Sequence, residues 1–559
     1  MNCQNFYSYF FSLQSKIPSN FSLMSPKQSN YFLSTKQFSV FAAGITFLLA
    51  YWYLGYDGIT FSDDVYYLLA GKKFWSGSME VNDYHFSSRW GAYVPSGLIG
   101  FIVGFDPHTI SFVSFIAYAL TLSVLIWVLP KSTPSWVLVL WLCTQVYFLH
   151  FLTKVYPDSL LVLFTCLIPA ASSLRSIRPI LSGFILVLSL FLGFLTKETI
   201  VLLSPFPILL LIFDFRSREL SKPFYLSILV TGILLLSLYL GYFWINFGDP
   251  LHRISSINAG HYISEFTYAD KGLLSILKRL TTLPIITFIE RSYWPWIVFA
   301  IPGIALGLKS RDTPALEFSL ALLCLLIGFW FMSSTLEFYN PIYLNPRHLI
   351  ITVPILCVLI SFGWKEWQTS KRWRTWILGL LALGVVISLA QMDWKMAGFQ
   401  LALVGAVSIY YSKFQPIVFV GILVAPAFLA IPYQKNLKQY ESLIETLSKE
   451  IQSTGNQSIL LTNDFLEFSE LVLFPEDEIS QKKLNGLESH LSWDKSKTDT
   501  VKLVLYSYYR HAYPQEQEEI DRVLTWLEKR GYTLQGEENN GVIWKGIYVR
   551  NKRSAPSPL

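Results

Sequence analysis

Charged residues are scarce in this chain of 559 residues. Asp, Glu, Lys and Arg make up 15% of it, against about 25% in a typical soluble domain, whereas apolar residues make up 52%. The net charge of +6 is too small for this length to indicate nucleic-acid binding. The composition therefore predicts a protein that is embedded in a lipid bilayer.

Cysteine is also scarce, and its placement excludes two classes of small domain. The 5 cysteines include none in the last 127 residues, and four of them lie inside apolar runs: Cys143, Cys166, Cys324 and Cys357. No pair has CxxC spacing, so neither a disulfide framework nor a cysteine zinc site is expected. A small-residue cleavage site is likewise missing after the first apolar run, which we expect to be a retained membrane span.

The charges are unevenly distributed along the chain. Residues 433–559 hold 16 basic and 19 acidic residues, while the first 432 residues hold 28 and 19. In this polar tail, strand-like segments at 458–462 and 501–506 and an amphipathic segment at 516–530 predict a small α/β domain. It has no Gly-rich phosphate loop, so we assign it no chemistry.

Long apolar runs dominate the rest of the sequence. A bilayer core of about 30 Å requires roughly 20 apolar residues per helix. About thirteen such runs are present, near 38–56, 109–130, 134–152, 158–174, 180–196, 199–213, 224–246, 292–308, 316–334, 348–364, 375–391, 396–411 and 416–432. The predicted fold is an all-α polytopic membrane protein of about thirteen transmembrane helices, with a cytoplasmic segment 1–37, a membrane domain 38–432 and a soluble α/β domain 433–559.

Lys and Arg concentrate in alternate loops, which predicts the orientation of the chain. The basic loops contain Lys131, Arg175, Arg178, Arg216, Lys222, the 365–374 cluster and Lys413. Because basic loops remain in the cytoplasm, we expect the N-terminus there and the tail domain on the extracytoplasmic side. The expected location is the plasma (inner) membrane of a bacterium, as a multi-pass protein.

Ionisable side chains recur at the ends of spans on the predicted outer side. The first are Asp63 and Asp64, in the sequence Phe61-Ser-Asp-Asp-Val65. Repulsion between neighbouring carboxylates raises the pKa of one of them, which favours proton acceptance from a substrate. Capping of the following helix by Ser62 or Asp63 is an alternative that is compatible with this role.

Two tight turns on the same side add further charges. Asp158 follows Pro157 at the start of a predicted span, where both residues also suit a helix N-terminus. Lys197 and Glu198 lie between two predicted spans with almost no loop. Lys197 is placed to contact an anionic head group, although the two side chains could equally neutralise each other.

Basic residues complete the predicted outer set. Arg347 begins a late span and requires an anion, with lipid head groups as the alternative partner to a substrate phosphate. Arg89 lies in the first long outer loop, and His261 and Glu265 lie in the 247–290 loop. For His261 and Glu265, an ordinary solvated loop is an alternative to a site.

These residues, in this order, resemble the C-type membrane glycosyltransferases, and within them glycosyltransferase family 39 of protein O-mannosyltransferases and lipid A aminoarabinose transferases. The resemblance covers about residues 38–432. Its carriers are Asp63 and Asp64 with Tyr66, Tyr67 and Gly77, then Pro157 and Asp158, then Thr196, Lys197 and Glu198, and finally Arg347 with Pro354. The family's Asp-Glu and Lys-Pro-Pro motifs are replaced here, which indicates a different acceptor or sugar.

The resemblance implies an inverting transfer of a sugar from a polyprenyl-phosphate donor to an acceptor hydroxyl, without a cofactor. Asp63, or else Asp64, would take the hydroxyl proton, and Lys197, Arg347 and Arg89 would hold the phosphate. Asp158, Glu198, Tyr66, His261 and Glu265 are the remaining expected substrate contacts. The resemblance implies no metal, although Asp63, Asp64 and Asp158 offer the oxygen ligands that hard cations prefer.

Two other functions remain open on sequence grounds. A polymerase or ligase of lipid-linked polysaccharide would carry Arg and His in a long outer loop, and the 247–290 loop contains His252, Arg253 and His261. A transporter would show repeated halves and charges near the bilayer midplane, and the sequence shows neither. The acceptor could be a lipid, a glycan or a protein.

Overall fold

The computed structural model of the chain describes residues 34–258, 268–309, 314–335, 338–409, 413–455, 457–475, 484–488 and 498–551. Within this part, apolar helices form one bundle, and a five-stranded sheet follows them near the C-terminus. His261, Glu265 and most of the predicted segment 1–37 lie outside the described residues.

Eight helical segments of the described chain are long and apolar enough to cross a bilayer. They are Thr35–Leu54, Pro107–Val128, Pro179–Thr196, Glu198–Ser217, Lys222–Phe247, Pro346–Thr369, Lys371–Ala390 and Gln415–Gln452. Pro107–Val128 includes the short helix Pro107–Ile110, Glu198–Ser217 begins with a 3₁₀ turn, and Gln415–Gln452 consists of Gln415–Lys438 and Tyr440–Gln452. The polytopic all-α architecture predicted from the apolar runs is confirmed.

The other predicted spans also coincide with helices, but these are short or bent. The 134–152 run forms Ser135–Leu142 and Val146–Leu152, whose axes differ by 69°. The side chain of Gln145 caps the second helix by accepting a hydrogen bond of 2.7 Å from the Phe148 amide, which stabilises the break. Pro157–Ser172, Trp294–Lys309, Ala315–Phe331 and Trp394–Ser408 each have 15 to 17 residues. The number of thirteen crossings therefore stays a prediction.

Helices also occupy the segments that were predicted as outer loops. The first of these segments holds Asp63–Trp75 and Trp90–Val103, which pack so closely that a Cβ on Gly71 or Gly97 would meet backbone atoms of the other helix. The later ones hold His252–Asn258, Leu273–Leu280, Leu283–Glu290 and Pro346–Leu349. These helices cover one end of the bundle, called here the site end.

The tail domain is an α/β unit, as the strand and helix patterns predict. Its strands are β1 (Ser458–Thr462), β2 (Leu484–Gly486), β3 (Thr500–Tyr506), β4 (Tyr532–Asn540) and β5 (Ile543–Arg550), in the order β2-β1-β3-β5-β4. Strand β1 pairs in parallel with β2 and β3, while β5 pairs antiparallel with β3 and β4. Short helices Asp464–Phe468 and Glu470–Leu473 follow β1, and the helix Glu516–Lys529 precedes β4.

The two faces of this sheet bury different partners because side chains alternate along a strand. On β3, Val501 and Leu503 pack against the Val523 side of the helix Glu516–Lys529. Val504 and Tyr506 point the other way and join a core that contains Phe61 of the membrane domain. The tail domain is thereby packed onto the site end of the bundle.

Candidate active site

Asp64 organises the loop that leads into the site. Its carboxylate accepts hydrogen bonds from the backbone amides of Thr60, Ser62 and Val65, at 2.6, 3.0 and 3.1 Å. The side chain is buried, and both oxygens are occupied by these amides. Asp64 therefore shapes residues 55–62, called here the 55–62 loop, and the start of the helix Asp63–Trp75.

Asp63 faces the other way and pairs with Arg347, with 2.8 Å between Oδ2 and Nη1. Both side chains keep about a quarter of their surface exposed, 24% and 23%. Burial raises the pKa of Asp63, but the positive charges of Arg347, Lys197 and Arg89 outweigh it and hold that pKa below its usual range. The raised pKa that was expected for one carboxylate of the pair is not found at Asp63, because Arg347 lies beside it and Asp64 is turned towards backbone amides.

Asp158 and Lys197 form a second ion pair, deeper in the site. The Lys197 ammonium donates to both carboxylate oxygens of Asp158, at 2.7 and 2.8 Å. Asp158 is completely buried at the start of the helix Pro157–Ser172, and the Lys197 side chain is 8% exposed. The helix-start interpretation of Asp158 and its place in the site are thus both compatible with the structure.

Glu198 binds two arginines rather than its neighbour Lys197. Arg89 donates from Nε and Nη2 at 3.2 and 2.7 Å, and Arg253 donates from Nε and Nη2 at 3.1 and 2.5 Å. Arg89 also donates to the Tyr67 hydroxyl at 2.7 Å. Self-neutralisation of Lys197 and Glu198 is therefore wrong, because their side chains diverge where the helix Pro179–Thr196 ends.

Arg347 has two further neighbours besides Asp63. Its guanidinium lies 5.2 Å from the ring centre of Tyr156, whose hydroxyl bonds Thr60 of the 55–62 loop at 2.6 Å. Its Nε donates to Nε2 of His348 at 3.4 Å, while Nδ1 of that ring lies 3.0 Å from the Tyr343 carbonyl oxygen. Arg347 thus bridges the first outer segment and a late span.

Tyr66 is the one expected substrate contact that the structure places among aromatic rings only. Its ring packs edge-on against Tyr67 and Tyr84, with centres 5.8 and 5.1 Å away. Within the described residues its hydroxyl makes no hydrogen bond. The structure therefore brings together Asp63, Arg347, Asp158, Lys197, Glu198 and Arg89 from the sequence prediction.

A buried cluster beside the site was missed by the sequence reasoning. Asp57 pairs with Lys154, which also donates to the Gly58 carbonyl, and with Lys438 at 3.8 Å. Burial raises the pKa of Asp57, but Lys154 and Lys438 together hold it below its usual range. Lys438 further donates to the Ile59 carbonyl at 2.7 Å, so the cluster fixes the backbone of the 55–62 loop. Lys154 and Lys438 each lie shortly after a predicted apolar run, and ionisable residues at the ends of membrane spans were the available signal.

The tail domain holds the same loop from its other side. Phe61 is fully buried with φ of 53°, and its ring lies 5.5 to 6.1 Å from those of Tyr509, Phe465, Tyr506 and Tyr440. The Tyr513 hydroxyl donates to the Phe61 carbonyl at 2.5 Å. The Tyr509 hydroxyl donates to the Ile59 carbonyl at 3.3 Å.

Gly58 explains how the loop can approach the tail so closely. Its φ is 90°, and a Cβ there would overlap the ring of Tyr440. The loop before Asp63 is therefore fixed by the membrane domain and the tail domain together.

The carboxylates of the site are directed at cations and amides. Within the described ranges no group of three or more His, Cys, Asp or Glu lies close enough to hold a metal ion. Asp63, Asp64 and Asp158 have separate partners, so they do not form a shared set of oxygen ligands.

With this geometry in hand, the backbone can be compared with those of known proteins. The crystal structure of ArnT from Cupriavidus metallidurans bound to undecaprenyl phosphate superposes with a TM-score of 0.59, over 92% of this chain and 98% of that one. The chain has the fold of ArnT. Sequence identity to ArnT over this alignment is 12%.

ArnT in the apo state gives the same result, with a TM-score of 0.57, 10% identity and the same two coverages. Both coverages are high, so the likeness to ArnT extends over the membrane domain and most of the tail. No family model and no curated protein matches the sequence. Support for the C-type glycosyltransferase fold that the sequence motifs implied thus comes from the comparison of backbone structures.

Proposed function

We propose that the chain is an integral-membrane glycosyltransferase, which moves a sugar from a polyprenyl-phosphate donor to an acceptor hydroxyl. The observation that carries this proposal is the charge balance of the site. Three carboxylates, Asp63, Asp158 and Glu198, face four cations, Lys197, Arg89, Arg253 and Arg347, in one set of ion pairs. An excess of positive charge at a partly open site favours an anionic ligand.

The Asp63–Arg347 ion pair is the one that the phosphate of an incoming sugar donor can separate. Its two side chains are about a quarter exposed, whereas Asp158, Arg253 and the Arg89 side chain are nearly inaccessible. A phosphate that takes one face of the Arg347 guanidinium forms a bidentate contact of the kind that arginine favours. Lys197, oriented by Asp158, adds a second positive charge beside it.

Donor binding would then prepare the base. When Arg347 turns to the phosphate, Asp63 loses its nearest positive charge and its pKa rises from the depressed value, so that it becomes a better proton acceptor. The acceptor oxygen attacks the anomeric carbon as the bond from that carbon to the phosphate oxygen breaks. The hydroxyl proton goes to Asp63 and the electron pair leaves with the phosphate, which gives an inverted glycoside and free polyprenyl phosphate.

The fold likeness supports the donor class. The ArnT structure with the higher similarity was determined with undecaprenyl phosphate bound. A donor of this type would place its chain in the lipid and its phosphate at the site end. The sugar and the acceptor would be selected by the shape of the site, and a plasma-membrane location with extracytoplasmic chemistry is part of this proposal.

Release of free polyprenyl phosphate tests the proposal directly. The purified protein in nanodiscs is given polyprenyl phosphate that carries a labelled hexose or pentose, and the Asp63→Asn variant is compared with Ser62→Ala. We expect release to fall by about 10²–10⁴-fold without Asp63, as is typical for loss of a general base. The Ser62 hydroxyl donates to Asp63 at 3.4 Å, so Ser62→Ala should lower release far less than Asp63→Asn does. Full release by folded Asp63→Asn protein would remove Asp63 from the mechanism.

A further inference from the structure

A cavity with a polar and aromatic lining lies in the tail domain, outside the ion pairs described above. It occupies about 200 Å³ where the parallel strands β1 and β3 end, and the residues that follow these strands, Asn463 and Ser507, both line it. It is smaller than a pocket for a drug-sized ligand, about 300–1,000 Å³, and therefore suits one small ring.

The cavity occupies the position at which open α/β sheets bind ligands. The chain leaves β1 towards β2 and leaves β3 towards β4 and β5 on the opposite side, so the strand order reverses between β1 and β3. The helix after β1, Asp464–Phe468, packs on the face of the sheet that meets the membrane domain, whereas Glu516–Lys529 packs on the other face. A crevice opens at the carboxyl ends of two strands whose helices diverge in this way. Phe465 of the first helix and Gln517 of the second both line the cavity.

Aromatic rings form part of the lining. Tyr513 and Trp544 both line the cavity and are partly exposed. The Tyr513 ring is stacked on that of Phe465, with the two centres 4.9 Å apart, so its position is fixed. An aromatic ring offers a flat apolar face, against which the C–H groups of a sugar ring can pack.

The polar side chains of the lining have hydrogen-bonding capacity left over. Arg510 is exposed, and its side chain makes no hydrogen bond or ion pair within the described residues. Gln517 donates to Asp521 through Nε2 at 3.1 Å, which leaves its carbonyl oxygen without a donor in this part of the chain. Ser507 donates to the Val542 carbonyl at 3.1 Å and can still accept. The cavity thus offers both donors and acceptors, which suits hydroxyl groups because a hydroxyl can do either.

The charges of the lining balance each other. Among the lining residues, all of which the structure describes, only Arg510 and Glu516 carry a charged side chain. Glu516 is buried, and its carboxylate accepts from the Asn463 side chain at 2.7 Å and from the Phe465 amide at 3.4 Å. One positive and one negative charge do not select an ion, so a neutral ligand that is rich in hydroxyls fits this cavity better than a phosphate does.

Tyr513 connects the cavity to the candidate active site. Its hydroxyl donates to the Phe61 carbonyl at 2.5 Å, two residues before Asp63. Burial, together with the nearby negative charges of Asp64 and Asp63, raises the pKa of Tyr513 to about 12. A ligand in the cavity would therefore contact a residue that also fixes the loop of the proposed base.

We propose that this cavity binds a sugar unit of the acceptor. The proposal rests on the proposed glycosyltransferase function and names a class of acceptor for it, a glycan with a neutral sugar unit besides the one that carries the reacting hydroxyl. Tyr513 and Trp544 pack against the apolar face of this sugar unit. Arg510 donates to its hydroxyl oxygens, and the carbonyl oxygen of Gln517 accepts from a hydroxyl.

Binding of simple glycosides tests the cavity without requiring turnover. The full-length protein is placed in nanodiscs of zwitterionic lipid, and binding of the methyl glycosides of glucose, galactose, mannose and N-acetylglucosamine is titrated by saturation-transfer NMR. The variant Arg510→Ala/Gln517→Ala removes two polar groups of the lining and leaves Tyr513 unchanged. Arg522→Ala/Gln535→Ala is the matched control, since this arginine and this glutamine are exposed in the same domain but do not line the cavity.

We expect at least one glycoside to bind, and the cavity variant to weaken its binding about tenfold or more, as loss of a charge-assisted hydrogen bond and a neutral one implies. The control variant should bind it as the unchanged protein does. Absence of binding by all four glycosides, or equal binding by the cavity variant and its control, would overturn the proposal. So would displacement of the glycoside by a soluble Ser/Thr-rich peptide, which would assign the cavity to a protein acceptor.

Release of free polyprenyl phosphate is measured in parallel for the same variants and for Asp63→Asn, so that the two proposals can fail separately. If glycoside binding depends on Arg510 and Gln517 while release does not depend on Asp63, the assignment of the base fails and the sugar site stands. If release depends on Asp63 but no glycoside binds, only the class of acceptor is overturned.

Discussion

The contact between the tail domain and the 55–62 loop leads to a quantitative prediction about Asp63. Tyr513→Phe removes one hydroxyl, which donates to the carbonyl of Phe61 two residues before Asp63. A single hydrogen bond of this kind contributes about 0.5–1.5 kcal/mol. If loss of this bond displaces Asp63 and raises the activation free energy by the same amount, kcat falls by up to about tenfold, since 1.36 kcal/mol corresponds to a factor of ten.

The measurement is the release of free polyprenyl phosphate at varied donor concentration. The KM for the donor should not change, because Tyr513 contacts neither Arg347 nor Lys197. Tyr508→Phe is the matched control, since the hydroxyl of this neighbouring tyrosine makes no hydrogen bond within the described residues. Phe61→Ala, which removes a fully buried ring at a cost of about 3–5 kcal/mol, should lower kcat further and also lower the unfolding temperature. Equal kcat values for Tyr513→Phe and Tyr508→Phe would refute the positioning role of the tail domain.

Two predictions concern charge. The Glu450 side chain lies between Lys502 and Lys545 at 2.9 and 2.7 Å, and Lys545 also pairs with Glu538 at 3.4 Å, so Glu450→Gln should destabilise the protein by about 1.5–3 kcal/mol in thermal unfolding at neutral pH. Burial raises the pKa of Glu450 but the two lysines lower it further, so its contribution is present above the ordinary pKa of 4.5 and disappears as pH falls through the lower folded value. The unfolding temperatures of the wild-type protein and of Glu450→Gln should therefore become similar in acid. For Asp63, whose pKa Arg347 depresses, the acid limb of kcat/KM should move to higher pH in Arg347→Gln, and an unchanged limb would contradict the pairing.

The sequence supports the architecture well because apolar composition and membrane thickness constrain it strongly. All thirteen predicted runs coincide with helices, and the strand and helix order of the tail domain is as expected. The helix that follows Asp63 was expected, whereas the other helices in the predicted outer loops, such as Trp90–Val103, were missed. They form by packing on the site end, as the close approach of Gly71 to Gly97 illustrates.

The sequence predicted which residues belong to the candidate site, but not which of them pair with each other. Asp63 and Arg347 are far apart in the chain, and Glu198 bonds Arg89 across 109 positions. Charge and position in the chain predicted that these residues matter, whereas the partner of each depends on how the helices pack. For this reason the alternatives for Lys197 and Glu198 stayed open in the sequence, and Arg253 was considered only under the polymerase hypothesis.

The role of the tail domain illustrates the same limit with aromatic residues. Tyr506, Tyr509 and Tyr513 are separated by three and four positions, a spacing that places side chains on one side of a turn or helix. From the sequence alone, this pattern indicates that one side of the segment is buried, but it does not identify the part of the protein that covers it. The structure identifies that surface as the backbone of the 55–62 loop, where φ of 90° at Gly58 and 53° at Phe61 is maintained by surrounding contacts. Because the loop has no regular structure to hold it, the residues that fix Asp63 are contributed by a domain that contains no catalytic motif.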